Sequence, residues 1–205
     1  MGQLVDGKWV SGEVLRQHDE KGRYFKRDSV FRQHVTADGS SGFPAASGRY
    51  HLYSAVACPW AHRAVLFRVL KELTPHVALW NTVQEENGEG WSFGPQGHVV
   101  PGTGARVRWL HELYTIAEAA CTTRVTVPTL WDAETRKVVS NESFEIIRMF
   151  NSAFGAVAGP TMDYYPQALR RAIDDTNAFV LRGINNAVNG CGYSITQAEI
   201  GRAHV

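Results

Sequence analysis

A cysteine at the start of an amphipathic segment is the residue of this sequence that is best placed for chemistry. Cys58 stands in Ala-Cys-Pro-Trp-Ala-His-Arg, residues 57–63, directly before Pro59. Proline is favoured in the first turn of a helix, and a thiolate is stabilised there by unpartnered N–H groups and by the helix dipole. We therefore predict that Cys58 is a nucleophile at a helix N-terminus. The alternative is a small buried structural thiol.

The position three residues after Cys58 decides what kind of thiol chemistry is expected. A two-thiol redox site carries a second cysteine there, but this sequence has Ala61. No neighbouring thiol can then resolve a mixed disulfide formed on Cys58. The resolving thiol must come from outside the chain, and glutathione is the obvious candidate. The pattern predicts one-cysteine thiol exchange.

The elements around Cys58 follow the order of a thioredoxin-like domain. Strands are predicted where β-branched and aromatic residues cluster, and helices where apolar residues recur at helical spacing. The predicted strands cover residues 49–56, 76–83, 124–132 and 137–140, and the predicted helices cover residues 60–73 and 141–154. A strand–helix–strand unit followed by a strand–strand–helix unit predicts an α/β fold class. After residue 160 only helical periodicity is present, which predicts a second, all-α domain.

A proline interrupts the third predicted strand. Because a central strand tolerates proline poorly, we expect Pro128 to mark the start or the edge of that strand. In thioredoxin-like proteins a cis proline faces the active cysteine, and the residue before it offers its backbone to an extended thiol peptide. Val127-Pro128 is the candidate for this pair. The alternative is an ordinary trans proline at a sheet edge.

The sequence Ser-Asn-Glu-Ser, residues 140–143, is predicted to begin a helix with Asn141 as its N-cap. The N–H groups of a helix N-terminus suit an anion such as the γ-glutamyl carboxylate of glutathione. Glu142 would add a partner for an ammonium group, and Ser143 would add a hydroxyl contact. The alternative is simple helix capping.

Several of these motifs together resemble the glutathionyl-hydroquinone reductases, which are also called Xi-class glutathione transferases. The resemblance is carried by the stretches "RYHLYSAVACPWAHR", "GEGWSF", "RVTVPTLWD" and "VVSNESFEIIRMFN". It implies the glutathione transferase fold, in which a thioredoxin-like domain precedes an all-α domain, and it implies a homodimer. The implied reaction is the glutathione-dependent reduction of glutathionyl-hydroquinones to hydroquinones. It would proceed through a mixed disulfide of Cys58 with glutathione and release glutathione disulfide.

The same resemblance implies a role for individual residues. Cys58 would be the catalytic nucleophile and Pro128 the structural cis-proline. Glutathione is implied as a co-substrate, and no metal is implied. The implied glutathione-binding residues are Trp91, Arg124, Val127 through its backbone, Glu142 and Ser143.

The predicted domains are an irregular N-terminal extension over residues 1–48, a thioredoxin-like glutathione-binding domain over 49–154 with an insertion at 84–120, and the start of an all-helical domain over 161–205. In the family that this chain resembles, the helical domain runs on for many more residues, so we expect the chain to be C-terminally truncated. The final stretch "EIGRAHV", residues 199–205, matches a translated sequencing adapter, and we expect it to be artefactual.

Composition argues against other classes of function. A formal net charge of +1, with no basic tract among aromatic residues, argues against nucleic acid as a partner. No apolar run is long enough to cross a bilayer and no signal peptide is recognisable, so we expect a cytoplasmic protein without a membrane partner. The 3 cysteines are too few for a disulfide framework, and the 8 histidines lack zinc-site spacing.

Two alternatives remain open at the level of the sequence. One is an Omega-like glutathione transferase that acts as a thioltransferase or dehydroascorbate reductase, since such enzymes share the active cysteine followed by proline. The other is a non-catalytic module with a glutathione transferase fold. The retained Cys58 argues against the second alternative.

Overall fold

The computed structural model describes residues 2–12, 20, 28–85, 88–193 and 196–198. The chain divides into two compact units. The first unit contains residues 1–12 and 29–163, and the second contains residues 13–28 and 164–205. The tail expected to be artefactual, residues 199–205, lies outside the described residues.

The first unit contains all the strands of the described chain. They are β1 (Gly2–Val5), β2 (Lys8–Ser11), β3 (Tyr50–Ser54), β4 (Val77–Asn81), β5 (Val83–Gln84), β6 (Trp91–Ser92), β7 (His98–Val99), β8 (Arg106–Val107), β9 (Thr129–Asp132) and β10 (Lys137–Ser140). Its α-helices are α1 (Pro59–Leu70), α2 (Leu110–Ala117), α3 (Ser143–Ser152) and α4 (Gly155–Ala158).

A four-stranded sheet forms the centre of this unit, with the strand order β10-β9-β3-β4. β3 and β4 are parallel and are joined through α1, whereas β9 runs antiparallel to β3 and β10 antiparallel to β9. The sequence predicted this order of elements. It places the end of β3, the start of β9 and the end of β10 around the residues predicted to do chemistry.

Alternate side chains of the central sheet pack into two hydrophobic cores, one on each face of the sheet. Leu52 and Leu130 pack with residues of α1 and α3 in one core. Their neighbours Tyr53 and Trp131 pack with residues of α2 in the other. This alternation follows from the two-residue period of a β-strand. Both faces of the sheet are therefore covered, which fixes the helices that carry the site.

The helix α1 ends earlier than its apolar pattern predicts. The pattern runs to Leu73, but the helix ends at Leu70. Glu72 has a positive φ of 56°, and the Leu73 N–H donates to the Arg68 carbonyl at 2.8 Å while the Glu72 N–H donates to Val69 at 3.0 Å. These two bonds form a Schellman motif. Leu73 reaches the core from this turn rather than from the helix.

The start of α3 corrects one prediction. The N-cap is Glu142, whose carboxylate accepts from the Phe144 N–H at 3.3 Å; the prediction of Asn141 as N-cap was wrong. Asn141 is buried, and its side-chain amide donates to Thr126 Oγ1 at 3.3 Å. The side-chain amide of Asn141 therefore binds the loop before β9 instead of capping the helix.

The N-terminal residues are more regular than expected. β1 and β2 pair as an antiparallel hairpin across Asp6 and Gly7, and both of these residues have positive φ. Further on, residues 31–33 lie beside β10: the Asn141 N–H donates to the Phe31 carbonyl at 3.1 Å, and the Gln33 N–H donates to Val139 at 2.8 Å. We call residues 28–45 the N-terminal arm.

The predicted insertion consists of two short hairpins followed by α2. β5 pairs with β6 and β7 pairs with β8, both antiparallel. The Glu112 carboxylate in the first turn of α2 accepts from the Arg108 and Trp109 N–H groups, both at 2.8 Å. The insertion is joined to the central sheet where the Tyr53 hydroxyl and His98 Nε2 lie 2.9 Å apart.

The second unit is helical where it is described. A 3₁₀ turn (Gln167–Leu169) leads into α5 (Arg170–Val180), a π-helical segment (Leu181–Asn185) and α6 (Asn186–Tyr193). No described helix has both the length and the apolar character that a membrane span requires.

Candidate active site

Cys58 occupies the position that the sequence predicts for it. It is the N-cap of α1, with φ −101° and ψ 111°, and Pro59 follows as the first helical residue. The side chain is half-buried and makes no capping bond to its own helix. Instead, Sγ lies 3.5 Å from the Val127 carbonyl oxygen. The sulfur therefore meets the positive end of α1 and the backbone of the loop that precedes β9.

That loop carries the predicted proline. The Val127-Pro128 peptide bond is cis, and β9 begins at the next residue, Thr129. The Tyr114 hydroxyl of α2 anchors this loop. It lies 2.7 Å from Thr129 Oγ1 and donates to the Thr126 carbonyl at 3.1 Å. The Val127 backbone is thus presented beside Cys58 by a buried hydrogen-bond network.

The start of α3 forms a second polar group. Glu142 is half-buried, and its Oε2 accepts a hydrogen bond from the Ser29 hydroxyl of the N-terminal arm at 3.3 Å. Ser143 follows directly and is buried. Arg32, also in the arm, pairs with Glu145 in the first turn of α3. The arm therefore fixes the acidic face of this helix start.

Arg63 links the two groups. Its Nε and Nη2 donate to Ser143 Oγ at 3.0 and 2.7 Å, and its guanidinium lies 4.0 Å from the ring centre of Phe144 and 4.9 Å from that of Trp60. Burial lowers the pKa of Arg63, while the charges of Glu142 and Cys58 act in the opposite direction. The sequence located Arg63 near Cys58 but gave no sign of its contact with Ser143, which is 80 residues away.

Trp91 and Arg124 lie in the insertion and in the loop before β9, respectively. Trp91 is half-buried on β6, where it pairs with Gln84, and it packs against the same hydrophobic core as Cys58. Arg124 is half-buried in the loop that continues to Val127. The structure thus brings Cys58 into contact with Val127 and Arg63 into contact with Ser143. It also places Trp91 on the same hydrophobic core as Cys58.

The hairpin β7–β8 is attached to the sheet by a buried histidine. His98 lies between the rings of Trp80 and Phe93, at centroid distances of 4.4 and 4.8 Å. Burial, with smaller contributions from nearby His51 and Arg106, lowers the pKa of His98 to about 4. His98 is therefore a neutral hydrogen-bond partner of Tyr53 at neutral pH.

The other thiol of the first unit is unsuited to exchange. Cys121 is buried in the core of the α2 face, and its Sγ lies 3.9 Å from the Tyr114 carbonyl. Burial, together with the charge of Glu118, raises the pKa of this thiol. Within the described part of the chain, no group of three or more histidine, cysteine or acidic side chains is arranged to hold a metal ion.

Several known proteins are similar to this chain in sequence and in structure. A model of the glutathione S-transferase N-terminal domain matches residues 57–153. The glutathionyl-hydroquinone reductase YqjG of Escherichia coli (strain K12) is 42% identical over 209 residues, which cover 96% of this chain and 62% of that protein. A Xi-class glutathione transferase from Natrialba magadii is similar in structure, with a TM-score of 0.84 and 36% identity over 99% of this chain and 61% of that one. Over nearly its whole length the chain is similar to Xi-class glutathione transferases.

A third comparison includes a ligand. The glutathione-bound structure of YqjG from Escherichia coli K-12 has a TM-score of 0.79 and 38% identity, over 98% of this chain and 62% of that one. The comparisons confirm the resemblance seen in the sequence and the predicted glutathione transferase fold. The chain spans 62% of the length of the Escherichia coli relative.

Proposed function

We propose that the protein reduces glutathionyl-hydroquinones to hydroquinones with glutathione as the co-substrate. The observation that carries this proposal is the position of Cys58 at the N-cap of α1, with Sγ 3.5 Å from the Val127 carbonyl and no thiol at position 61. The similarity to YqjG, whose name is that of a glutathionyl-hydroquinone reductase, supports the same reaction.

The first step is attack of the Cys58 thiolate on the glutathione sulfur of the substrate. A bond forms between the two sulfur atoms, and the bond between that sulfur and the aromatic carbon breaks. The electron pair of the broken bond goes to the aromatic carbon, which then takes up a proton. Hydroquinone leaves, and Cys58 remains as a mixed disulfide with glutathione.

The second step restores the thiol. A second glutathione ionises, and its thiolate attacks the glutathione sulfur of the mixed disulfide. Glutathione disulfide leaves, and Cys58 is again a thiolate. The proton released by the second glutathione balances the one taken up by the aromatic carbon. Two glutathione sulfurs are oxidised while the aromatic carbon is reduced.

Two parts of the glutathione molecule, the cysteinyl and the γ-glutamyl residues, have candidate partners. The Val127 backbone, which precedes the cis peptide bond, is proposed to pair with the cysteinyl part. Glu142 and Ser143 are proposed to bind the ammonium and the carboxylate of the γ-glutamyl end. Trp91 and Arg124 are proposed as further contacts from the insertion and from the loop before β9. The glutathione-bound state of YqjG supports the assignment of the ligand.

The family resemblance also implies an assembly and a compartment. We propose that the whole protein is a homodimer and that it functions in the cytoplasm. Both are inferences from the class of protein and do not depend on the geometry of the site.

The test is intact-mass spectrometry after mixing the protein with a glutathionyl-hydroquinone. We expect the mass of one glutathione to be added, and peptide mapping to place it on Cys58. The variant Cys58→Ser should gain no glutathione, and Cys191→Ser, which changes a thiol of the second unit, should react like the parent protein. Addition of glutathione to the Cys58→Ser variant would overturn the proposed role.

The Omega-like alternative is separated by the choice of substrate. Release of hydroquinone should be measured beside the reduction of a simple mixed disulfide of cysteine and glutathione, on the same preparation. The proposed reaction predicts release of hydroquinone in step with formation of the Cys58 adduct. Exchange with the mixed disulfide but no release of hydroquinone would identify a thioltransferase instead.

A further inference from the structure

The hydroxyl of Ser143 is held by one side chain from a different helix. Arg63 on α1 donates to Ser143 Oγ from both Nε, at 3.0 Å, and Nη2, at 2.7 Å. Ser143 is 3% exposed. The oxygen is therefore buried with two donors directed at it.

These two donors decide which role the hydroxyl plays toward a ligand. A serine hydroxyl has one proton to donate and two lone pairs that accept. Because both Arg63 N–H groups approach the oxygen from the same side, the proton of the Ser143 hydroxyl points away from Arg63, and Ser143 donates on its other side. A ligand atom in front of Ser143 must then be an acceptor, such as a carboxylate oxygen.

The donors themselves are fixed in position and in charge. The Arg63 guanidinium lies over the rings of Phe144 and Trp60, and such cation–π contacts restrict its orientation. An arginine does not lose its proton in the working range of a protein. The direction of the Ser143 hydroxyl is thus set independently of pH.

Next to this donor, Glu142 presents an acceptor. An ionised carboxylate only accepts hydrogen bonds, so Glu142 suits an ammonium group while Ser143 suits a carboxylate. A pair of this kind distinguishes the two charged groups at the α-carbon of a γ-glutamyl end.

We propose that Arg63 is a positioning residue that makes Ser143 an obligatory donor and thereby makes the site specific for the γ-glutamyl carboxylate. This inference rests on the proposed function, because it assumes that glutathione occupies the site. It adds a residue that acts through Ser143 and does not itself touch the ligand.

The test compares two unreactive ligands, so that catalysis plays no part. One is S-methylglutathione, and the other is the same molecule with γ-aminobutyrate in place of γ-glutamate, which lacks only the carboxylate. Calorimetry on the parent protein should give a dissociation constant that is about ten- to hundred-fold lower for the ligand with the carboxylate, as expected for a hydrogen bond to a charged group.

The variant Arg63→Met should reduce this ratio to about threefold or less, because the hydroxyl is then able to turn. Ser143→Ala should reduce it equally, and the double variant should show no further loss. Arg63→Lys keeps a cation and part of the donation, so its ratio should lie between those of the parent and Arg63→Met. Arg106→Met, in β8, is the matched control and should keep the parent ratio.

Each outcome separates the inference from the proposed function. An unchanged ratio in Arg63→Met, or an equal weakening of both ligands, would overturn the positioning role while leaving the glutathione site in place. A further loss when Arg63→Met is added to Ser143→Ala would show that the charge acts directly, and would overturn it as well. If Arg63→Met does not fold, a parent-like ratio in Arg63→Lys decides against the proposal. Failure of the parent protein to bind S-methylglutathione would overturn both.

Discussion

Replacing His98 by glutamine should flatten the dependence of stability on pH. His98 is 7% exposed and lies among aromatic rings, and its Nε2 is 2.9 Å from the Tyr53 hydroxyl. Glutamine keeps a group that can bond to Tyr53 but does not titrate. Comparing the two proteins therefore separates the effect of protonating His98 from most of the effect of its packing.

The magnitude follows from the two pKa values. Burial lowers the pKa of His98 from 6.5 to about 4, with smaller effects of His51 and Arg106. As the pH falls below 6.5, the unfolded chain binds the proton before the folded chain does. The stabilisation is therefore complete above about pH 6.5 and is lost progressively down to about pH 4. One pKa unit corresponds to about 1.4 kcal/mol, so the full loss is limited to about 3 kcal/mol.

The assay is urea unfolding followed by tryptophan fluorescence at several pH values between 7 and 4.5. All 6 tryptophans belong to the first unit, so the signal reports on the unit that contains His98. The parent should lose up to about 1.4 kcal/mol more per pH unit than His98→Gln in this window. His34→Gln, at an exposed position, is the control and should follow the parent. Parallel curves for the parent and His98→Gln would refute the reasoning, even if the variant is less stable at every pH.

Two further stability predictions concern buried charge and backbone contact. Arg49→Met removes the Nε and Nη2 donors that lie 2.8 and 2.6 Å from the fully buried Asp132 carboxylate. The free energy of unfolding, measured in urea, should therefore fall by about 3–5 kcal/mol. A fall of less than about 1 kcal/mol would mean that the pair behaves as an exposed one. Gly102→Ala should destabilise by at least about 2 kcal/mol more than Gly104→Ala. Both glycines have positive φ, but an added Cβ at 102 would lie 1.9 Å from the Ala133 carbonyl oxygen and one at 104 would meet nothing within 4 Å. Equal melting temperatures of the two glycine variants would contradict this explanation.

The sequence was sufficient for features that depend on local pattern. Clusters of β-branched and aromatic residues predicted the strands of the central sheet, and Cys58 followed by Pro59 predicted the start of α1. The prediction that Pro128 marks the start of a strand agrees with β9, which begins at Thr129. In each case the determinant is a neighbouring residue or a short periodicity.

One local signal was present but was not used. Asp6-Gly7 separates two short apolar segments, and both residues adopt positive φ in the turn between β1 and β2. An Asp-Gly pair in a two-residue loop is a strong indication of a hairpin. The N-terminal residues were instead expected to be irregular.

The contacts of the site depend on packing that no short window contains. Arg63 reaches Ser143 only because α1 and α3 lie on the same face of the sheet. The identity of the α3 N-cap was decided in the same way, since Asn141 bonds to Thr126 across the sheet and leaves the capping position to Glu142. Sequence patterns locate the residues of such a site, but the side-chain directions follow from the assembled core.

The N-terminal arm protects the edge of the central sheet from pairing with another copy of the chain. β10 is the last strand of the central sheet, and the arm lies along its outer edge. The Val139 carbonyl of β10 accepts from Gln33, and the N–H of Asn141, directly after β10, donates to Phe31. Without this cover, that row of backbone groups is a template onto which another chain can add a strand. A version of the protein that begins after the arm should therefore assemble into sheet-bonded oligomers during refolding, and the arm serves as a guard against aggregation as well as a support for Glu142.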